Sequence, residues 1–317
     1  MSTNRLCNLL NIEYPILLGA MAWITDAELA AAGSNAGGLG VIAAGNAEPE
    51  WLRKEIQKAQ RLTKKPLGVN IMLLSPYADE VAKVVCEEKV EVVITGAGNP
   101  GKYLQMWQDC GIKIIPVVPA VALAKRLESR GVDAVICEGV EAGGHVGSLT
   151  TMALVPQIVD ALDIPVIAAG GIADSRGVVA AMALGADGVQ IGTRFLVAHE
   201  CNVHQNYKDK ILKARDRDTV VTGLSTGHPV RTLKNKFARE YAKLEKMGAT
   251  PEVLDQLGSG KLRLAALEGD MENGSPMAGQ IAALVNEEQS CQEIFNEIMF
   301  GISAVINRLT EANQWQK

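Results

Sequence analysis

Two periodicities alternate along this chain. Short apolar runs bounded by Gly, Pro or Asp recur, and each is followed by a stretch in which polar and apolar residues mix at helical spacing. Eight such runs occupy residues 14–20, 40–44, 67–72, 90–95, 112–118, 134–138, 165–169 and 188–192. Their spacing, roughly 20 to 30 residues, is that of β-α units, in which each parallel strand needs a crossover to reach the next.

Several helix ends are legible. Thr25-Asp26 precedes a segment at 27–33, Pro49 opens one that runs to Lys64, and Asp174-Ser175 cap 176–184, which Gly185 stops. Eight units predict an α/β fold, a TIM (β/α)8 barrel. An open doubly wound sheet needs fewer strands and carries its glycine fingerprint after the first, whereas here glycines follow several strands.

The pattern changes near Asn206. Residues 206–280 are rich in Lys, Arg, Glu and Asp and hold one strand-like run, 219–224, which predicts a small, mainly helical C-terminal appendage to a barrel of residues 1–205. In the last segment, 281–317, Ile294, Ile298, Ile302, Val305 and Leu309 recur at steps of three and four, so 287–311 is expected to form an amphipathic helix returning to the barrel.

Composition agrees with that picture and narrows the function. The 317 residues are 48% hydrophobic but only 4% aromatic, with 31 glycines, as tightly packed β-α units require. A net charge of −5 offers no global attraction for nucleic acid or an anionic membrane. No secretory leader and no membrane-spanning apolar run are found, so a cytoplasmic protein is expected. Cys7, Cys86, Cys110, Cys137, Cys201 and Cys291 have no C-x-x-C spacing and are expected as reduced thiols.

Barrel enzymes place their chemistry where the strands end. The seventh run ends Ala168-Ala169-Gly170-Gly171-Ile172-Ala173-Asp174 and the eighth ends Gln190-Ile191-Gly192-Thr193. Glycine there lets backbone N–H groups approach a phosphate, aided by the following helix N-terminus. The sixth run leads into Glu138-Gly139-Val140-Glu141-Ala142-Gly143-Gly144-His145-Val146-Gly147-Ser148, a histidine framed by glycines on a loop at the barrel mouth. Such an imidazole can polarise an oxygen or carry a proton. Met21 and Asn70 lie at the ends of the first and third runs, where they suit a flat ligand with polar edges. His199, His204 and His228 are less persuasive, and no pair of histidines has metal-ligand spacing. There is no nucleophile elbow, glycosidase carboxylate pair or Walker A motif, which favours cofactor chemistry over hydrolysis.

At these residues the chain resembles the flavin-dependent enoyl-acyl-carrier-protein reductase II family, within the nitronate monooxygenases. The segments that carry the likeness are Gly19-Ala20-Met21-Ala22-Trp23, Gly68-Val69-Asn70-Ile71-Met72-Leu73-Leu74-Ser75-Pro76, Thr95-Gly96-Ala97-Gly98-Asn99-Pro100, Ala142-Gly143-Gly144-His145, the seventh-run end and Gly274-Ser275-Pro276-Met277-Ala278-Gly279-Gln280. Family members often have Gly where Ala20 stands. The resemblance implies FMN at the barrel mouth, with its phosphate on Gly170, Gly171, Gly192 and Thr193. It implies a ring against Gly19, Ala20, Met21 and Asn70, with Glu138, Ser148 and Gln190 as polar neighbours and His145 as the catalytic residue. It also implies NADH or NADPH as reductant, a monovalent cation in some members, and an enoyl substrate delivered on acyl carrier protein. For that acidic partner, Lys208, Lys210, Lys213, Arg215 and Arg217, or Lys234, Lys236 and Arg239, are candidate landing areas. A homodimer is expected. Two rivals stay open: an oxygen-dependent nitronate monooxygenase using the same FMN, and a flavin-free isomerase or phosphate-ligand binding protein.

Overall fold

The computed structural model describes residues 4–311, and the ends of the expected outer segments at 1–3 and 312–317 lie outside them. Among the described residues are eleven strands: β1 (Ile16–Leu18), β2 (Gly40–Ala43), β3 (Leu67–Met72), β4 (Val92–Gly96), β5 (Lys113–Val118), β6 (Val135–Glu138), β7 (Gly144–His145), β8 (Val166–Ala169), β9 (Gly188–Ile191), β10 (Thr219–Thr222) and β11 (Val230–Leu233). Eight of them pair in parallel in the order β1-β9-β8-β6-β5-β4-β3-β2. Leu39 closes the ring against β1, with the Leu18 N–H donating to the Leu39 carbonyl at 2.9 Å and the Leu39 N–H to that of Ile16 at 3.0 Å. This is the expected TIM barrel, and each of the eight apolar runs contributes one strand.

Local chemistry sets the helices between them. Asp26 accepts from the Leu29 N–H to cap Ala27–Asn35, Pro49 occupies the first turn of Pro49–Leu62, and Asp174 accepts from the Arg176 N–H to cap Ser175–Ala183. The barrel interior is filled by Leu17, Leu39, Val41, Val92, Ile94, Ile115, Ile136 and Ile167, all essentially buried. It is a packed core rather than a pore.

The last helix, Cys291–Glu311, returns to the barrel through its first half, where Ile294, Phe295 and Ile298 are buried and the Phe195 and Phe295 rings lie 5.7 Å apart. Its second half departs from expectation: Leu309 is exposed, as are Phe300 and Ile306. The apolar repeat continues past the surface available to cover it.

Two further expectations are corrected. Cys86 and Cys110 are joined in a disulfide, because the helix Ala78–Glu87 and the turn after Leu104–Asp109 bring their Cα atoms to 5.8 Å; Cys137, Cys201 and Cys291 are free and buried, and Cys7 is buried. Lys208 is no surface charge: it is buried, and its Nζ donates to the Ala198 carbonyl at 2.7 Å. Among the described residues no helix is long and apolar enough to cross a membrane.

Beyond residue 205 the chain is mainly helical, but it also forms a hairpin. β10 pairs antiparallel with β11, and β11 pairs with β7, which lies between β6 and β8 in sequence. The appendage is thereby tied by backbone hydrogen bonds to the segment that carries His145.

Candidate active site

One cavity of about 660 Å³ opens at the C-terminal ends of the barrel strands, with the barrel as its floor and the appendage as its wall. Its lining includes Gly19, Ala20, Met21, Asn70, Glu138, His145, Gly170, Gly171, Gln190, Gly192 and Thr193. Eleven of the twelve residues singled out from sequence therefore converge. Ser148 is exposed and does not line the cavity.

Backbone packing shapes the floor. Gly170 and Gly171 have φ of 91° and 75°, in the left-handed region that side chains disfavour, and a Cβ on Gly170 would lie 2.9 Å from the Gly139 carbonyl oxygen. A Cβ on Gly19 would approach the Gly192 backbone to 3.0 Å, so these two strand ends meet without side chains between them. The N–H groups of Gly170, Gly171 and Gly192 donate to no acceptor among the described residues. Three free N–H groups at adjoining strand ends make a cradle with the chemistry to hold an anion such as a phosphate. Thr193 braces it, since its Oγ1 accepts from the Gly279 N–H at 2.9 Å.

The side chains of Asn70, Glu138 and Gln190, from β3, β6 and β9, make no hydrogen bond to the described residues and line the same cavity. Partly buried, they keep their polar atoms open to the cavity. Burial pushes the Glu138 carboxyl up to about 7. A flat heteroaromatic ligand carrying a phosphate matches both features of the floor: unpaired amide and carboxyl groups, and the glycine cradle.

On the wall, His145 occupies a strand rather than the loop expected for it. It pairs with Val230, Gly144 pairs with Arg231, and the Val146 N–H donates to the Pro229 carbonyl at 3.0 Å. Arg231 is buried and reinforces the junction, its Nε donating to the Val140 carbonyl and its NH1 to Thr219 Oγ1, both at 3.1 Å. Glu141 steadies the other flank by accepting from the Thr151 N–H at 3.0 Å, at the start of helix Thr151–Val159. His145 is solvent-exposed and lines the cavity. Desolvation by the surrounding protein, with a smaller contribution from repulsion by His228, holds its imidazole below the ordinary histidine range. It is therefore neutral near pH 7, with one N–H to donate and one lone pair to accept.

Sequence reasoning set His228 aside, yet it lines the cavity beside His145. Tyr241 and Phe237 also line it and were not singled out, and Met277, named only within the 274–280 segment, lines it too. The Gly227-His228-Pro229 turn was the available signal for the first. Trp23 stands at the rim with φ of 66°, its ring 6.0 Å from the Arg263 guanidinium. No group of three or more potential metal ligands occurs among the described residues.

With this geometry in place, comparison with known proteins is informative. Residues 3–84 and 74–301 match the nitronate monooxygenase family. The chain belongs to that family. Its members are FMN enzymes, and the chain is an oxidoreductase of this flavin-dependent kind. A probable nitronate monooxygenase from Staphylococcus aureus is 34% identical over 99% of both chains. Among solved structures, FabK from Thermotoga maritima is 48% identical, with a TM-score of 0.95 over 98% of this chain and 99% of that one. A nitroalkane oxidase from Streptomyces ansochromogenes is 28% identical, with a TM-score of 0.86 over 96% and 99%.

Proposed function

We propose that this nitronate monooxygenase family member is an FMN-dependent enoyl-acyl-carrier-protein reductase of bacterial type II fatty-acid synthesis, using NADH or NADPH. The observation that carries this reading is the 48% identity to FabK along almost the full length of both chains, well above the 34% and 28% of the relatives named for nitronate or nitroalkane oxidation. FMN, when bound, supplies hydride transfer from the nicotinamide to the β-carbon of a trans-2-enoyl thioester.

The chain's own groups do the rest. The N–H groups of Gly170, Gly171 and Gly192 hold the phosphate, with Thr193 behind them. Asn70, Gln190 and Glu138 meet the polar edge of the cofactor, while Gly19, Ala20 and Met21 provide a close apolar surface. Neutral His145 donates its N–H to the thioester oxygen, where negative charge develops as the β-carbon is reduced. Its neutral state favours orientation and charge stabilisation over delivery of a proton already in place.

For acyl carrier protein, three residues drawn from the two basic clusters lie close together. Lys210, Lys213 and Lys234 border a single groove, although Asp209, Asp218, Asp270 and Glu272 lie among them. Electrostatic docking there predicts a KM for carrier-bound substrate that rises with salt.

The family match and the 34%-identical relatives favour a second reading, nitronate oxidation, in which the free lone pair of His145 takes a substrate proton. Anaerobic mixing of the purified protein with NADH or NADPH separates the two. Rapid loss of flavin absorbance, restored by a crotonyl thioester, is the expected result. Flavin that ignores both nicotinamides but is reduced by a nitronate would establish the monooxygenase. A colourless protein that takes up no FMN would remove both readings and leave the flavin-free one.

A further inference from the structure

The ladder that holds His145 continues past the end of its strand. The Val146 N–H bond to the Pro229 carbonyl extends the register set by His145 and Val230, so Gly147 stands opposite His228. Residues two apart on a strand share a face, and diagonal neighbours across an antiparallel pair lie roughly 7–8 Å apart. His228 is therefore the diagonal neighbour of His145 on one face, and Gly147 places no side chain opposite it. Both histidines line the cavity, and they interact: besides desolvation, repulsion by His228 opposes protonation of His145.

The turn that presents His228 is fixed by its own hydrogen bonds. Glu245, on helix Lys236–Lys246, accepts from the Gly223 and Ser225 N–H groups at 3.2 and 2.8 Å. Thr226 Oγ1 donates to the Gly223 carbonyl at 2.9 Å and accepts from the His228 N–H at 3.2 Å, and Pro229 restricts the backbone that follows. The His228 ring is exposed and makes no hydrogen bond to the described residues. An imidazole so placed can take a proton from water and pass it to a ligand in the cavity.

Reduction of an enoyl thioester needs a proton at the α-carbon as well as a hydride at the β-carbon. With His145 neutral and donating to the thioester oxygen, that proton needs another carrier. Of the other candidates lining the cavity, Glu141 accepts from the Thr151 N–H and hydroxyl, and the buried Tyr207 donates to the Met277 carbonyl at 2.7 Å. Glu138 stands on the floor with the cofactor. Burial, above all, raises Tyr241 and makes its hydroxyl a poorer acid. Arg263 pairs with Glu268 at 3.0 Å, and Asp255 lies on helix Pro251–Gly258, which no strand pairing ties to His145. We propose that His228 is a second catalytic residue, the imidazolium that protonates the α-carbon while His145 holds the thioester oxygen. This rests on the reductase reading. The hydride makes the new C–H bond at the β-carbon, the π electrons of the double bond shift toward the thioester and then take the His228 proton at the α-carbon, and the neutral ring regains a proton from water.

The test compares the FMN-loaded wild type with His228→Gln and His228→Ala under anaerobic stopped flow, which separates reduction of the flavin by NADH or NADPH from its reoxidation by crotonyl-pantetheine. Reoxidation is expected to slow about a hundredfold in both variants, the lower end for loss of a general acid, while flavin reduction keeps its wild-type rate. Added imidazole should restore reoxidation in His228→Ala in proportion to its concentration, which a ring that merely shaped the cavity would not allow. Wild-type reoxidation in the variants, equal slowing of both half-reactions, or slow reoxidation that imidazole leaves unchanged would overturn the proposal. Wild-type flavin that no enoyl thioester reoxidises would sink the reductase reading and the proposal together, whereas normal reoxidation by wild type and variants alike removes His228 alone.

Discussion

On the barrel side of the cavity the shape comes from backbone: Gly170 and Gly171 hold left-handed conformations, and Gly19 meets Gly192 with no side chain between them. On the appendage side it comes from long-range pairing, with His145 held against Val230 and Arg231 fastened to Val140 and Thr219. The floor has free N–H groups and unpaired amides suited to binding. The wall presents a neutral imidazole suited to chemistry. The contrast implies that binding of the cofactor and turnover of the substrate can be broken independently.

The largest effect is expected at the floor. Gly170→Ala forces a Cβ onto a backbone with φ of 91° and against the Gly139 carbonyl, so affinity for FMN should fall by about a hundredfold, at ~1–3 kcal/mol for the conformational strain alone. Flavin absorbance per mole of protein and fluorescence titration with FMN measure it; wild-type occupancy would mean the glycine cradle does not hold the phosphate.

Next in size is Glu138→Gln. The folded protein raises this carboxyl from 4.5 to about 7, so its charged form is disfavoured by folding. The resulting penalty is absent below about pH 4.5, grows through the interval and is complete above about pH 7. Removing the charge should stabilise the flavin-free protein at pH 8 by ~1–3 kcal/mol, less than the full shift implies because water reaches the cavity, and should leave stability at pH 4.5 unchanged. Denaturant unfolding at the two pH values checks the sign. A variant equally stabilised at both would refute the cause given.

A smaller effect sharpens the contrast from the wall. Arg231→Met removes two hydrogen bonds but also the burial of a charge, so stability should change little while the strand bearing His145 loosens. Turnover is expected to fall about tenfold at undiminished flavin content, the cost of a slight misplacement of a reacting group. Flavin loss at preserved turnover would reverse the assignment of the two sides.

The same contrast explains what was legible in the sequence. The eight barrel runs, their caps and the glycine strand ends follow from local chemistry, since an apolar run, an Asp cap or a positive φ is decided within a few residues. Asn70 was recoverable because an amide inside an apolar strand stands out. Val230–Leu233 was missed because four residues with two adjacent polar ones at their centre, in a charged segment, carry no strand periodicity, and β7, the strand they bind, lies on the far side of two barrel strands in sequence. His228 was set aside for the same reason. Ser148, close to His145 in sequence, turns to the surface once the Gly144–His145 strand has ended. The Cys86–Cys110 bond and the buried Lys208 depend on which helices become neighbours, which the spacing of cysteines and lysines does not encode.

The division between floor and wall is tested most directly by His145→Ala, with flavin content and crotonyl-thioester reduction measured on one preparation. The account predicts full FMN occupancy with kcat reduced by about a hundredfold or more, the range for removing one positioned catalytic group. Wild-type turnover, or loss of the flavin together with the activity, would contradict it.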